Sequence, residues 1–239
     1  MLNDDDVSRV LAIAAHPDDL DFAAAGTVAR WTACGVTVTY VIVTDGGAGV
    51  APNGVERDQV AAIRRREQRA AAAATGVHDV RFLGYDDGEL TVTTELRRDL
   101  CRIIRQVRPQ RMLIQCPERN WDRIATSHPD HLAAGEAAMR AIYPDARSRN
   151  AHATLVDDEA LEPWAVSEVW AMGSPRPTVA IDITDLVDVK LAAVQAHASQ
   201  TAAMGDLRDV IEVRGRRAAM SAGLADGRLC EAFAAVATT

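Results

Sequence analysis

Short apolar runs alternate with longer helix-like stretches along most of the chain. Arg9–Ala15 is an apolar run of strand length, and Val36–Thr44 is a stronger one that is rich in β-branched residues. Further strand candidates lie at 80–83, 111–115, 167–172 and 177–183, and helix candidates at 22–33, 55–75, 93–107 and 131–142. Because parallel strands need crossover helices, this rhythm predicts a single α/β domain over residues 1–239, with a doubly wound, mostly parallel sheet and helices on both faces.

The last third of the chain departs from this rhythm. We expect residues 184–198 and the chain from Leu207 onward to form more helix, with Gly223 and Gly227 interrupting it. The stretch 143–163 is polar and weakly periodic, which indicates an excursion or a lid. Together with the loop 50–56, we expect it to shape the ligand pocket.

The composition is that of a globular protein with an aliphatic core, since 48% of the 239 residues are hydrophobic and only 4% are aromatic. Asp and Glu (34) outnumber Lys and Arg (26), and a net charge of -8 argues against nucleic acid as a partner. The acidic start of the chain is unlike an export signal, and no apolar stretch approaches the ~18 residues of a membrane span. We therefore expect a cytoplasmic protein with four reduced cysteines, and the composition leaves a homo-oligomer open.

The first strand candidate ends in His16-Pro-Asp-Asp19. In open α/β sheets, ligands bind at the carboxyl ends of strands, near the point where the strand order reverses. His16 and Asp19 are three residues apart across a turn that opens a helix, so one cation can contact both, and imidazole and carboxylate are zinc ligands. A helix cap made by Asp18 or Asp19 explains the same residues, and this motif alone does not decide between the two.

A second His/Asp-rich turn, Ser127–His131, follows the fourth strand candidate and repeats the order His-Pro-Asp. In the strand order 3-2-1-4, strands one and four are neighbours, so the two turns face each other across one crevice. Three of the six histidines in the chain fall in these turns, which favours a metal site over helix capping. Spacing alone leaves open whether His128 or His131 is the third ligand.

Several motifs occur in the order expected of one enzyme family. The chain resembles the PIG-L/LmbE-type zinc-dependent N-deacetylases from about Val10 to Phe233, at Ala15-His-Pro-Asp-Asp19, Gly26-Thr27, Thr44-Asp45-Gly46, Arg64-x-x-Glu67, Asp87-Gly88, His128-Pro-Asp-His131 and, as in actinobacterial members, 190–200. The resemblance implies a Rossmann-like fold, one deacetylase domain over 1–239, and a Zn²⁺ ion bound by His16, Asp19 and His131. It also implies that Asp18 is the general base and that a protonated His128 is an acid or electrostatic partner.

Three further residues are candidates for substrate binding. Arg64 and Asp87 match family positions that contact sugar hydroxyls or phosphate, although a solvated helix face and a turn explain them as well. Trp121 lies in the irregular run before His128, where it is suited either to stack on a sugar ring or to anchor the loop. One departure stands out, because the Glu that usually follows the first motif is replaced by Leu20 and then Asp21.

The resemblance implies a hydrolase that removes an N-acetyl group from an N-acetylglucosamine-type sugar on a larger aglycone, with a metal-bound water attacking the amide carbonyl and Asp18 as general base. One alternative is an amidase for a larger acyl group, such as that of a mycothiol-type conjugate. A second is a non-catalytic Rossmann-type nucleotide-binding protein, although the glycines of Gly46–Gly49 lack the G-x-G-x-x-G spacing and follow the wrong strand. A third is a metal-binding module without catalysis.

Overall fold

The strands and helices alternate as expected over most of the chain. The computed structural model describes residues 1–51 and 54–238. Its strands are β1 Arg9–Ala14, β2 Thr37–Thr44, β3 Asp79–Tyr85, β4 Arg111–Gln115, β5 Glu168–Met172, β6 Val179–Asp182 and β7 Cys230–Ala237. Its helices are α1 Asp19–Ala33, α2 Arg57–Ala74, α3 Thr94–Val107, α4 Pro129–Ile142, α5 Thr154–Asp157, α6 Val187–Gln195, α7 Ala198–Thr201 and α8 Leu207–Ser221.

The described strands form one sheet in the order β3-β2-β1-β4-β5-β7-β6. β1 pairs in parallel with β2 on one side and with β4 on the other, which confirms the predicted neighbourhood of strands one and four. The chain passes from β1 outward to β2 and β3 and then returns to β4, so the strand order reverses between β1 and β4. The carboxyl ends of these two strands therefore border the crevice in which ligands of such sheets bind.

Both faces of the central strands are buried, as a parallel sheet covered by helices requires. On one face, Leu11 and Ile13 of β1 pack in a cluster with residues of α3 and α4. On the other face, Ala12 and Ala14 pack with residues of α1 and α2. The core is aliphatic and rich in alanine, as the composition indicates.

The end of the chain differs from the prediction, because Cys230–Ala237 is a strand and not more helix. β7 lies antiparallel between β5 and β6. Its alanine-rich sequence favours a helix by local propensity, but the position between two strands supplies backbone partners on both sides. The buried ring of Phe233, 5.5 Å from that of Trp170, fixes the strand on the sheet.

The segment 143–163 does not form a lid over the carboxyl ends of the strands. Arg105 of α3 donates to backbone carbonyls of this segment, including those of Asp145 and Ser148. Just beyond it, Trp164 donates to the carbonyl of Pro109, before the amino end of β4. This excursion is therefore anchored near the end of the sheet opposite the two His/Asp turns. The other predicted pocket loop, 50–56, includes Pro52 and Asn53, which lie outside the described residues.

Candidate metal and catalytic site

The first turn brings three polar side chains to the end of β1. The backbone N–H of His16 donates to Oδ2 of Asp19 at 2.8 Å, and the carbonyl of Asp18 accepts from the N–H groups that open α1. Asp18 itself has a left-handed backbone with φ 96°. Such a conformation costs about 1–3 kcal/mol in a residue other than glycine and persists only where the surroundings enforce it. The turn thus holds Asp18 in a strained conformation beside His16 and Asp19.

The second turn presents two histidines at the start of α4. His128 is the N-cap residue, and Pro129 occupies the first helical position, where its missing N–H is not needed. Gly135 lets α4 approach β4 closely, because a Cβ atom there would lie 2.3 Å from the carbonyl oxygen of Gln115. This close contact places His131 directly opposite the turn that follows β1.

The three predicted metal ligands converge. Nδ1 of His16 lies 3.2 Å from Nε2 of His131 and 3.4 Å from Oδ2 of Asp19, and Nε2 of His131 lies 3.1 Å from Oδ1 of Asp19. Ligand atoms of a tetrahedral zinc ion, at ~2.0–2.1 Å from the metal, are about 3.3 Å apart. The donor set and its spacing therefore fit a zinc ion.

The outer hydrogen bonds of the two histidines indicate which ring nitrogens are free. Nε2 of His16 faces carboxylate oxygens of Asp87 at 3.0 Å and of Asp130 at 3.1 Å, so this nitrogen carries the proton. Nδ1 of His131 faces the carbonyl of Thr126 at 3.3 Å and carries its proton for the same reason. The lone pairs of the other two nitrogens therefore point at each other and at Asp19. Such an arrangement is favourable only with a cation, or extra protons, between them.

His128 lies in the same cluster, and its ligand nitrogen is close enough to those of His16 and His131 for the three to hold a metal together. However, Nδ1 of His128 accepts the backbone N–H of Asp130 at 3.2 Å, so a neutral ring carries its proton on Nε2. Burial and the charges of His16 and His131 lower the pKa of His128, which favours this neutral form. These contacts are compatible with the predicted ligand His131. For His128 they differ from the prediction, because the lowered pKa and the contact of Nδ1 favour a neutral ring that donates through Nε2, where a protonated ring was expected.

The pKa values of the two adjacent carboxyl groups, those of Asp18 and Asp19, are shifted in opposite directions. Burial and the negative charge of Asp19 raise the pKa of Asp18 to about 6, against the opposing positive charge of Arg64. Burial also acts to raise the pKa of Asp19, but His131 and His16 outweigh it and hold that pKa well below its usual range. A carboxylate with a pKa near neutrality is suited to accept and return a proton, and a strongly acidic one to bind a cation.

The predicted substrate residues occupy different surroundings. Arg64 is buried, and its guanidinium donates to the carbonyls of Gly46 and Pro17 and to Oδ2 of Asp18. Asp87 is also buried and faces His16. Trp121, in contrast, is 79% exposed on the loop that leads to His128. Arg64 and Asp87 thus lie against Asp18 and His16, and of the three candidates only Trp121 presents a wide surface to solvent.

Three supporting residues had no role in the sequence interpretation. Gln115 closes β4, accepts the N–H of Ala15 and donates to Oδ2 of Asp19 at 2.9 Å. Asp130 accepts backbone N–H groups of the β3–α3 loop while it faces His16. Gln68 on α2 contacts the first turn. Asp130 lies within the second His-Pro-Asp motif, although no role was predicted for it, and Gln115 is a polar residue that ends an apolar strand at the carboxyl edge of the sheet.

Comparison with known proteins identifies the family of the chain. Residues 11–142 match the model of the PIG-L family, described as GlcNAc-PI de-N-acetylase. The chain is 32% identical over 195 residues to a diacetylchitobiose deacetylase of Thermococcus kodakarensis, covering 82% of this chain and 71% of that protein. It is 33% identical over 203 residues to a probable N-acetyl-alpha-D-glucosaminyl L-malate deacetylase 2 of Bacillus anthracis, covering 81% and 82%.

The fold comparison gives the same family. The structure superposes on the N,N'-diacetylchitobiose deacetylase of Pyrococcus horikoshii with a TM-score of 0.89 and 30% identity, covering 97% of this chain and 85% of that chain. The similarity in both sequence and fold thus extends well beyond the two His/Asp turns. The chain belongs to the PIG-L family of de-N-acetylases and is a deacetylase that acts on C–N bonds other than peptide bonds.

Proposed function

We propose that the protein removes the N-acetyl group from an N-acetylglucosamine-type unit carried on a larger aglycone. The observation that carries this proposal is the convergence of Nδ1 of His16, Nε2 of His131 and the carboxylate of Asp19 beside the carboxyl group of Asp18, whose pKa is raised to about 6. By name, the relatives above are a deacetylase of diacetylchitobiose and a probable deacetylase of N-acetylglucosaminyl malate. The two named compounds share an N-acetylated glucosamine and differ in what it is attached to. The shared part is therefore the proposed reacting group.

His16, Asp19 and His131 are the proposed ligands of a zinc ion. When bound, zinc supplies a Lewis acid for the amide carbonyl and lowers the pKa of a water molecule to ~7. Asp87 and Asp130 keep the proton of His16 on Nε2, and Gln115 orients the carboxylate of Asp19. Such outer contacts fix the ligand orientation before the metal arrives.

Asp18 is the proposed general base, because it is adjacent to a ligand and its carboxyl group titrates near neutrality. It takes one proton from the attacking water while the water oxygen bonds to the acetyl carbon. Nε2–H of His128 donates a hydrogen bond to the oxyanion that forms on the carbonyl oxygen. The C–N bond then breaks as the carbonyl re-forms, and Asp18 returns the proton to the nitrogen. The products are acetic acid, which keeps the second proton of the water, and the free amine, and at neutral pH that second proton passes to the amine or to solvent to give acetate.

Arg64, Asp87 and Trp121 remain our predictions for substrate binding. Trp121 is the best placed of the three to stack on a sugar ring, because its indole is exposed on the loop before His128 and lies 5.5 Å from the guanidinium of Arg119. For Arg64 and Asp87, a contact with substrate would add to the contacts that each already makes within the cluster. We further propose that residues 1–239 work as one deacetylase domain.

The test is amine release from N,N'-diacetylchitobiose, N-acetylglucosaminyl malate and N-acetylglucosaminyl inositol, measured together with the metal content by elemental analysis. We expect one zinc per chain, release from at least one of these compounds, and loss of release with a chelator that zinc restores. Release only from a compound with a bulkier acyl group would replace the proposal with an amidase. Zinc-independent release would contradict the metal mechanism.

Two alanine variants test the division of labour between the adjacent carboxylates. Asp18→Ala should keep zinc and lose most turnover, whereas Asp19→Ala should lose zinc. Asp158→Asn removes an exposed carboxylate on the distant excursion and serves as the control with normal zinc and turnover. The assignment fails if Asp18→Ala strips the metal and Asp19→Ala does not.

A further inference from the structure

We infer that Gln68 is a positioning residue that holds the peptide bond between Pro17 and Asp18 and thereby aims the Asp18 carboxylate. Gln68 lies on α2 and is fully buried. Its Oε1 accepts the backbone N–H of Asp18 at 2.8 Å. This hydrogen bond reaches the strained residue from an element 50 positions away along the chain.

Arg64, one helical turn before Gln68, holds the other side of the same peptide group. Its Nη2 donates to the carbonyl of Pro17 at 2.7 Å. Residues four apart project from the same face of a helix, so α2 binds the C=O and the N–H of one peptide plane with two neighbouring side chains. The orientation of that plane sets φ of Asp18, which is 96°, and with it the direction of the side chain.

The orientation of the Gln68 amide is itself determined by its second partner. Nε2 of Gln68 donates at 2.8 Å to Oδ2 of Asp21, which also accepts from Nε2 of His197 at 2.8 Å. The backbone N–H of Asp18 can only donate, so the amide oxygen of Gln68 must face it, and the amide nitrogen is left to donate to Asp21. A flipped amide would lose both hydrogen bonds. Asp21 and His197 are fully buried, so this anchor is shielded from water.

Gln68 allows a cleaner test than Arg64, because it is uncharged and because its hydrogen bonds go to a backbone N–H and to Asp21. The inference rests on the proposed role of Asp18. Gln68→Met keeps the length and volume of the side chain and removes both hydrogen bonds. If this variant does not fold, Gln68→Asn replaces it, since its amide is one methylene too short to bridge both partners.

We expect Gln68→Met to lower kcat roughly 10- to 100-fold, because a displacement of about 1 Å at a reacting group has effects of this size. KM and zinc content should stay within about twofold of wild type, since neither the metal ligands nor the proposed substrate residues change. Thr75→Val is the matched control, because it also removes a buried polar group from the end of α2, where the hydroxyl donates to the carbonyl of Ala72. Thr75→Val should leave kcat unchanged. A fall in kcat in Gln68→Met alone would then result from the lost positioning of Asp18 and not from a general loosening of α2.

A double-mutant cycle then tests whether Gln68 acts through Asp18. In an Asp18→Asn background, Gln68→Met should reduce the residual kcat less than about twofold, because there is no base left to aim. If the fold-losses of kcat in Gln68→Met and Asp18→Asn multiply in the double variant, the inference is overturned. A normal kcat in Gln68→Met alongside an inactive Asp18→Asn would overturn it as well. Wild-type turnover in Asp18→Asn would contradict the proposed role of Asp18 and the inference with it.

Discussion

Nδ1 of His128 accepts the backbone N–H of Asp130 at 3.2 Å, whereas Nδ1 of His131 faces the carbonyl of Thr126 at 3.3 Å. The two histidines are three residues apart, yet these backbone contacts give them opposite neutral tautomers. His128 carries its proton on Nε2 and can donate, and His131 has a free lone pair on Nε2 and can bind a metal.

The opposite tautomers predict different losses on substitution. His131→Ala should lose zinc, because it removes one of three ligand atoms. His128→Ala should keep zinc and lower kcat on the order of 100- to 1,000-fold, which is typical for the loss of one oxyanion donor. Zinc content and kcat of the two variants check this, with the exposed His78→Ala as a control for the loss of an imidazole. Loss of zinc from His128→Ala alone would reverse the assignment.

Arg64→Gln should shift the acid limb of the kcat–pH profile to higher pH. The positive charge of Arg64 lowers the pKa of Asp18, so its removal raises that pKa and more of the base is protonated at a given pH. Arg64→Lys keeps the charge and should leave the limb closer to wild type, although both variants disturb the peptide between Pro17 and Asp18. If the acid limb lies at the same pH in the Arg64→Gln and Arg64→Lys variants, Arg64 does not act on Asp18 through its charge.

The two His/Asp turns could be predicted because each is a local motif at the end of a strand, and the alternation of strands and helices indicated that β1 and β4 are neighbours. The network of Gln68, Asp21 and His197 could not be predicted in the same way. Its hydrogen bonds join positions 47 and 176 apart in the chain, on helices whose packing no local pattern specifies. Sequence patterns therefore predicted the histidines and aspartates that the structure brings together, but not the side chains that hold them in place.

β7 was missed for a related reason. Alanine has little preference for either face of a sheet, so an alanine-rich strand shows no alternation of apolar and polar residues in its sequence. Only the pairing with β5 on one side and β6 on the other makes the segment a strand.

Zinc affinity should fall as the pH is lowered. Burial lowers the pKa of His16, but hydrogen bonds and charges of Asp19 and Asp87 outweigh it and raise that pKa to about 11. Asp19 likewise raises the pKa of His131 against the effect of burial. In the metal-free protein these rings therefore hold protons that zinc must displace, and the apparent affinity should drop about tenfold per pH unit for each proton released. Competition with a chelator at several pH values measures this, and a pH-independent affinity would contradict it.

Gly135→Ala should destabilise the protein by about 1–3 kcal/mol, the usual range for overpacking a tight contact. The new Cβ would lie 2.3 Å from the carbonyl oxygen of Gln115, and because both atoms belong to backbone or are fixed to it, α4 has to move away from β4. That movement carries His131 away from Asp19, so zinc affinity should fall as well. Urea unfolding measures the loss of stability, and competition with a chelator measures the loss of zinc affinity.

Gly215→Ala provides the contrast within another helix. There the nearest atoms are Cβ and Cδ2 of Leu229 at 3.2 and 3.3 Å, so the neighbour has to move by only a few tenths of an ångström. Alanine gains up to about 1 kcal/mol of helix propensity over glycine, which offsets this small shift. We expect a change in unfolding free energy close to zero and normal zinc binding. Equal losses of stability and zinc affinity in the two variants would mean that the effect at position 135 is a general one of replacing a glycine within a helix. A loss confined to Gly135→Ala would show that the approach of α4 to β4 sets the geometry of the metal ligands.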